Sequence, residues 1–469
     1  MHRARPAATV RATPRFLRMP MNDVAKPASG LGRFNAALRA SPPLLWAFLY
    51  FFCLLSGYYV LRPVREAMGA SADVRAVFPP WLIDWFASHG LDAGAFTLQV
   101  LFTITFLVML LLQPAYGLLV SRFPRRVFLP VVYLFFIATL LLFYLAFDSG
   151  MPGRGMAFFV WIAVFNLFAV AVFWSFMADV FDDVEARAYF GYIGAAGTIG
   201  AFLGPILTRV LVERVGIANL MLVACGFLVL CLACQMRLRQ WAVAREQARG
   251  DRSRETAMGG GVLAGLTLVM REPLLRWMAM VVLFGVGVGT LLYNEQAAIV
   301  RRFYTDAREA TAFYANIDLA INALTLIVQV FVTRWLLSRF GVAPALLLPS
   351  LAIFIGYALL AANPLPLMVA IVQIVTRSSE FCLNKPARET IYTRVPREWR
   401  YKAGAAIDTV IYRGGDLTFV WLHKFVAAFG SHAVFGVGMF VAGCFGVGAW
   451  GLWREQRKLP SGRVQDETT

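Results

Sequence analysis

About twelve stretches of roughly 20 apolar residues, separated by short polar connections, dominate this 469-residue chain, and roughly 20 residues is what an α-helix needs to cross the hydrocarbon core of a bilayer. They lie near residues 44–63, 96–120, 127–147, 156–178, 189–212, 217–236, 275–295, 310–334, 341–361, 364–384, 404–428 and 433–453. Lipid offers backbone N–H and C=O groups no partner, so each such stretch must close its hydrogen bonds internally as a helix. The expected fold is all-α, a polytopic membrane protein. Charged residues make up 15% of the chain and hydrophobic ones 59%. Soluble domains average about 25% charged and about 45–50% apolar, which excludes an ordinary soluble enzyme and a disordered chain. Residues 71–90 read as an amphipathic surface segment, because Pro79-Pro80 breaks any single span there.

The formal charge is +17, from 44 Lys and Arg against 27 Asp and Glu. Nucleic acid is one use of such a balance, but here the basic residues sit between apolar spans, where they orient the bundle. The N-terminal tail, Arg122/Arg125/Arg126, the 237–255 segment, Arg334/Arg339, residues 385–402 and Arg454/Arg457/Lys458 fall on one side if both ends share it. That side is expected to be the cytoplasm, with the protein in a bacterial inner membrane. The division that follows is a basic tail (1–42), a six-helix half (43–236), a polar linker (237–274), a second six-helix half (275–453) and a second tail (454–469).

The two halves share marks. Ser121-Arg122-Phe123 follows the second span and Leu129-Pro130 comes soon after; Ser338-Arg339-Phe340 and Leu348-Pro349 follow the eighth. Glu185-x-Arg187 with Gly191 recurs as Glu398-x-Arg400 with Gly404. Parallel six-span halves are the arrangement of major-facilitator transporters. No phosphate-binding G-x-x-x-x-G-K-[ST] loop is present, so the chain carries no such ATP motor of its own. Its six cysteines sit in or beside apolar stretches and its four histidines have no ligand spacing. Neither a metal nor a cofactor is expected, nor a disulfide framework.

Several segments resemble known families. Gly117 through Arg126 looks like a degenerate copy of the major-facilitator loop signature between spans two and three. Gly197-x-x-Gly200-x-x-x-Gly204-Pro205 is similar to that superfamily's glycine-rich fifth span, where small residues let helices approach closely. Tyr58-Tyr59-Val-Leu61-Arg62-Pro-Val-Arg65-Glu66 resembles the end of the first span in the ATP/ADP translocase family. Phe173-Trp174-Ser-Phe176-Met-Ala-Asp179 with Glu185-Ala186-Arg187, and Tyr293-Asn294-Glu295, resemble two further segments of it. The most specific match is Lys385-Pro386-Ala387-Arg388-Glu389, then Tyr401-Lys402 to Asp408, then Arg413-x-Gly415-Asp416. Where that family has a lysine this chain has Arg65, and Asp179 replaces a glutamate. Arginine binds phosphate through a bidentate fork that lysine lacks, so the substrate need not be ATP.

Ionisable residues inside spans are expensive and mark function by default. Those at hand are Arg62, Arg65, Glu66, Asp179, Glu295, Asp318, Arg377, Glu380, Asp408, Arg413 and Asp416, with Lys385 and Arg388 beside the tenth span. Arg65 and Glu66 lie close enough to a span end to snorkel. Asp179 stands beside Asp182 and Asp183, as a solvated cluster would. Asp318 is open to either use, a packing hydrogen bond or a proton carrier. Combined with the resemblance, the substrate-binding set is Arg62, Arg65, Lys385, Arg388, Lys402 and Arg413. The charge-pairing or coupling carboxylates are Glu66, Asp179, Glu295, Asp318, Asp408 and Asp416. The expected function is a non-enzymatic secondary transporter, working as one copy in lipid, that moves a nucleotide or similar phosphorylated anion. The alternatives are a proton-coupled major-facilitator permease for an unrelated metabolite, and a membrane sensor or scaffold that transports nothing.

Overall fold

The computed structural model describes residues 41–122, 125–181, 183–249, 262–362, 366–392, 394–395, 399 and 403–458. In the first half, α1 (Pro42–Gly69), α2 (Thr97–Arg122), α3 (Arg125–Asp148) and α4 (Arg154–Val180) precede one long helical stretch, Asp183–Arg249. Gly216, with φ 80° and ψ 170° inside that stretch, cannot continue an α-helix and divides it into α5 (183–215) and α6 (217–249). Glycine is required there because a side chain disfavours positive φ.

In the second half, α7 is Pro273–Phe303, α9 is Val342–Ala362 and α12 is Ser431–Gln456. The other three are interrupted by π turns: α8 (Ala307–Val328) runs through Gln329–Thr333 to Phe340, α10 (Pro366–Ser379) through Glu380–Asn384 to Tyr392, and α11 from Gly404 through Ile407–Ile411 to Ala427. Among the described residues, nine helical segments are long and apolar enough to cross a membrane, and the one from Tyr189 to Val243 holds both α5 and α6. The charged, π-interrupted α10 and α11 complete the bundle of twelve.

Side chains such as Leu111, Phe331 and Phe440 point outward, 75%, 73% and 70% exposed. A soluble fold would bury them; here they meet acyl chains. Between α1 and α2 the short helices Val74–Val77 and Pro80–Ser88 are parted at Pro79, the break expected from the sequence. Trp81 and Trp85 stand exposed on the second of these, as interfacial aromatics do.

Two packing features position the centre of the bundle. The fifth-span glycines bring α5 onto α1: a Cβ on Gly204 would fall 2.5 Å from that of Tyr59, and Thr208 Oγ1 donates to the carbonyl of Val60 at 2.8 Å. In the second half, Leu291, Leu346, Tyr357, Phe435 and Phe445 belong to a core shared by α7, α9 and α12. Pro130 and Pro349 lie inside the third helix of each half, the places a duplication assigns them. One boundary moves: the polar stretch from residue 237 continues α6 to Arg249, and a further helix, Val262–Arg271, precedes α7. RLRQWAVAREQAR is rich in Ala, Arg and Gln, strong helix formers that need no apolar environment.

Candidate functional site

A cavity of about 440 Å³ opens between the two halves, walled by α1 (Tyr58, Tyr59, Arg62, Arg65, Glu66), α7 (Thr290, Tyr293), α10 (Arg377, Glu380, Asn384, Arg388) and α11 (Tyr412, Arg413, Asp416). Pro63 sits inside α1 between the two arginines. It has no N–H to give the carbonyl of Tyr59, which is left without its helical partner beside the cavity.

The charges around the cavity are mostly paired, and one pair joins the halves. Arg62, buried on α1, places Nη1 3.4 Å from Oδ1 of Asp318 on α8 and Nε 3.8 Å from Oε1 of Glu66. Arg65 Nη1 lies 3.3 Å from the same Glu66 oxygen, and its guanidinium stacks 4.0 Å from the centre of the Phe159 ring. Arg388 Nη2 donates to Glu380 Oε1 at 2.8 Å, and Asn384 Nδ2 to Glu380 Oε2 at 3.1 Å. Arg413 Nη1 is 3.7 Å from Asp416 Oδ2, while Asp416 Oδ1 accepts from Thr290 Oγ1 at 2.9 Å.

Residues 380, 384 and 388 are spaced four apart, so they share one face of α10. A π turn within that stretch holds one extra residue and leaves carbonyls in need of partners. The carbonyls it frees find partners: Thr333 Oγ1 donates to Cys382 O at 2.7 Å and Gln329 Nε2 to Phe381 O at 3.2 Å. The π turn of α8 thus braces that of α10.

Of the residues singled out from the sequence, Arg62, Arg65, Glu66, Arg377, Glu380, Arg388, Arg413 and Asp416 line the cavity, and Asp318 touches it through Arg62. Lys385 and Asp408 are exposed and are not among the lining residues. Lys402 and the side chain of Asp179 lie outside the described residues. Glu295 is buried away from the cavity, with its Oε1 2.9 Å from Nε2 of His423 on α11. His423 carried a signal that spacing arguments missed: it is an ionisable group in an apolar span. The binding set also lacked Arg377, and the aromatic wall of Tyr58, Tyr59, Tyr293 and Tyr412 was not foreseen.

The pattern of the Major Facilitator Superfamily matches residues 70–415. The chain belongs to that superfamily. Two curated relatives, each an "ADP,ATP carrier protein 1", come from Chlamydia trachomatis (21% identical over 78% of this chain and 79% of the relative) and Chlamydia muridarum (20% identical, 78% and 78%). An auto-inhibited POT family peptide transporter matches 92% of this chain and 99% of its own at a TM-score of 0.59 and 14% identity. A bacterial homologue of the iron transporter ferroportin, in an inward-facing state, matches 88% and 99% at 0.58 and 11%. These structural likenesses establish the fold. The protein is therefore a secondary transporter of the major-facilitator type with a small-molecule substrate.

The end of this major-facilitator bundle that carries Pro80–Ser88 is bridged between the halves. Gln99 Nε2 on α2 donates to Val420 O on α11 at 3.2 Å, and Trp421 Nε1 donates back to Thr103 Oγ1 at 3.1 Å. Lys424 Nζ reaches the carbonyl of Ala95 at 2.5 Å, and Arg301 that of Gly94. A buried cluster of Phe78, Phe159, Tyr293, Tyr314 and Val420, drawn from both halves, lies beneath these contacts.

Proposed function

We propose that this transporter moves a nucleotide or similar phosphorylated anion by alternating access, exchanging one such anion for another. The observation that carries this reading is the set of five guanidinium groups, from Arg62, Arg65, Arg377, Arg388 and Arg413, around one cavity between the halves. Guanidinium is the group best suited to bidentate phosphate contacts, and its cost inside a membrane is hard to meet without anions. Tyr58, Tyr59 and Tyr412 offer ring faces for a base or another planar moiety. The distant ADP,ATP carrier relatives point to the same class of substrate.

In this reading Glu66, Glu380 and Asp416, with Asp318 behind Arg62, hold the arginines while the site is empty and yield them to substrate. Alternation rocks the half 43–236 against the half 275–453. In this reading both termini and the linker lie in the cytoplasm of a bacterial cell, an orientation supported by the basic loops. The bridged end then faces outward, and the cavity is reached from within. A second reading has an observation of its own: Glu66 Oε2 and Asp318 Oδ2 are buried without a hydrogen-bond partner, positions that a coupling proton could occupy in a proton-driven permease.

The test is exchange of radiolabelled nucleotides by purified protein in liposomes. Uptake that depends on an internal phosphorylated counter-substrate supports the proposal. Uptake of unphosphorylated metabolites alone, driven by an imposed pH gradient, favours the permease. Reporter fusions that place the linker outside would overturn the orientation.

A further inference from the structure

Four of the five cavity arginines are in ion-pair contact with a carboxylate. Arg62 is held by Asp318 and Glu66, Arg65 by Glu66, Arg388 by Glu380 and Arg413 by Asp416. Arg377 is the exception. Its guanidinium lines the cavity and lies 5.7 Å from the centre of the Tyr293 ring; its charge acts on nearby Glu66, Asp318 and Asp416, but among the described residues it forms no close ion pair with any of them. The surrounding groups are settled: Glu66 on α1 is engaged by Arg62 and Arg65, Asp318 on α8 by Arg62, and Asp416 on α11 by Arg413 and Thr290. Five guanidinium groups against four carboxylates give this cluster a formal excess of one positive charge, and Arg377 is the member not held in a close ion pair.

Building on the proposed function, we infer that Arg377 is the primary anion seat of the cavity, and that the cavity takes substrates bearing a single phosphoryl group in preference to nucleoside di- or triphosphates. The argument is electrostatic. Uncompensated charge within a membrane protein is costly, and the loaded cavity must pass through a state shielded from bulk water. A phosphate monoester carries about −1.5 to −2 at pH 7, which brings the loaded site within about one charge of neutrality. Each further phosphate adds about one more negative charge with no free guanidinium to meet it. It would also meet Glu66, Glu380 and Asp416 on the same walls. Arg62, Arg65, Arg388 and Arg413 share their donors with a carboxylate, whereas the donors of Arg377 are not taken up by a close ion pair among the described residues.

Equilibrium binding to the purified full-length protein tests this with three probes of one base: adenosine mono-, di- and triphosphate. We expect the monophosphate to bind at least about tenfold more tightly than the triphosphate. Arg377→Gln should weaken monophosphate binding roughly ten- to a hundredfold, the range for losing a charge-assisted contact, and Arg377→Lys should recover part of that loss at unchanged melting temperature. Triphosphate binding as tight as monophosphate, or undiminished monophosphate binding by Arg377→Gln, overturns the inference and leaves the proposed function standing. Binding of none of the three, nor of inorganic phosphate or glucose 6-phosphate, overturns the proposed function itself. The ranking of the three probes on the unaltered protein decides the matter even if the Arg377 variants do not fold.

Discussion

Helices α7 and α11 carry two acid–base contacts with opposite characters, one half-buried and one buried. Near their middle, Thr290 on α7 and Arg413 on α11 share Asp416, which lines the cavity. Seven residues further along α11, about 10 Å at helical rise, His423 meets Glu295 at 2.9 Å away from the cavity. Both are ionic groups in apolar spans, and by sequence both count as functional candidates. They differ in what surrounds them. The Asp416 cluster borders open volume and a surplus of cations, so an incoming anion can exchange with its members. The Glu295–His423 contact faces packed protein and ties two helices. Buried charge alone does not mark a transport site; a partner shell with room to rearrange does.

The largest effect expected falls on the pair that joins the halves at the cavity. Asp318→Ala leaves buried Arg62 with only its longer contact to Glu66, and breaking a buried ion pair from one side costs about 3–5 kcal/mol. Unfolding of the detergent-purified variant should show that loss, and Asp318→Asn should show less. A near-neutral Asp318→Ala would mean that solvent in the cavity already screens Arg62. Next in size are Arg62→Lys and Arg413→Lys, which keep the charge and lose the fork. We expect substrate affinity to fall by about 1.5–3 kcal/mol, roughly ten- to a hundredfold, at matched melting temperature. Equal binding by both lysine variants would erase the distinction between the exchangeable cluster and the structural one.

The helices themselves were legible because lipid imposes one rule on every span, whatever the fold. The glycine-rich fifth span was legible for a similar reason: a helix can touch α1 that closely only without a Cβ, as Gly204 shows. Which intramembrane residues carry charge was also plain. Which of them meet was not. Arg62 finds Asp318 on a helix from the other half, and no local periodicity encodes that. Arg377 reads as one charge among many until its neighbours are seen to be paired elsewhere. The π turn at Glu380–Asn384 leaves no mark in hydropathy. The extension of α6 to Arg249 was hidden by the habit of equating polar with loop, when propensity there favours helix.

Glu295→Gln probes the other side of the comparison. It weakens a buried hydrogen bond between α7 and α11 without touching the cavity, so the expected cost is about 1–3 kcal/mol of stability, with substrate affinity held within about twofold, as for sites without shared partners. Circular-dichroism melting and ligand titration on one sample separate the two. Loss of gradient-driven uptake with counterflow exchange intact would instead place a coupling proton on this pair, and the contrast with Asp416 would collapse.

The smallest effect concerns the bridged end, where the ties between α2 and α11 are single hydrogen bonds, that of Gln99 buried and that of Trp421 exposed. Trp421→Phe keeps an aromatic side chain and removes the Nε1–H donated to Thr103 Oγ1, together with part of the ring that meets Phe96. A neutral hydrogen bond contributes about 0.5–1.5 kcal/mol net. The bond spans the two halves, so its loss acts on the balance between arrangements closed and open at this end rather than on the cavity. That balance should move by roughly two- to tenfold toward the open form, at the conversion of about 1.4 kcal/mol per factor of ten. Alkylation of a cysteine placed at Phe102, on the cavity wall below the bridge, reads the shift as a faster rate from the bridged side, in a background freed of native cysteines. Substrate affinity in the closed form should not change. A rate unaltered by Trp421→Phe, and equally by Gln99→Leu, which removes the bond to Val420 O, would assign the closure to the buried aromatic cluster beneath. Phe78, Phe159 and Tyr314 would then be the residues to alter.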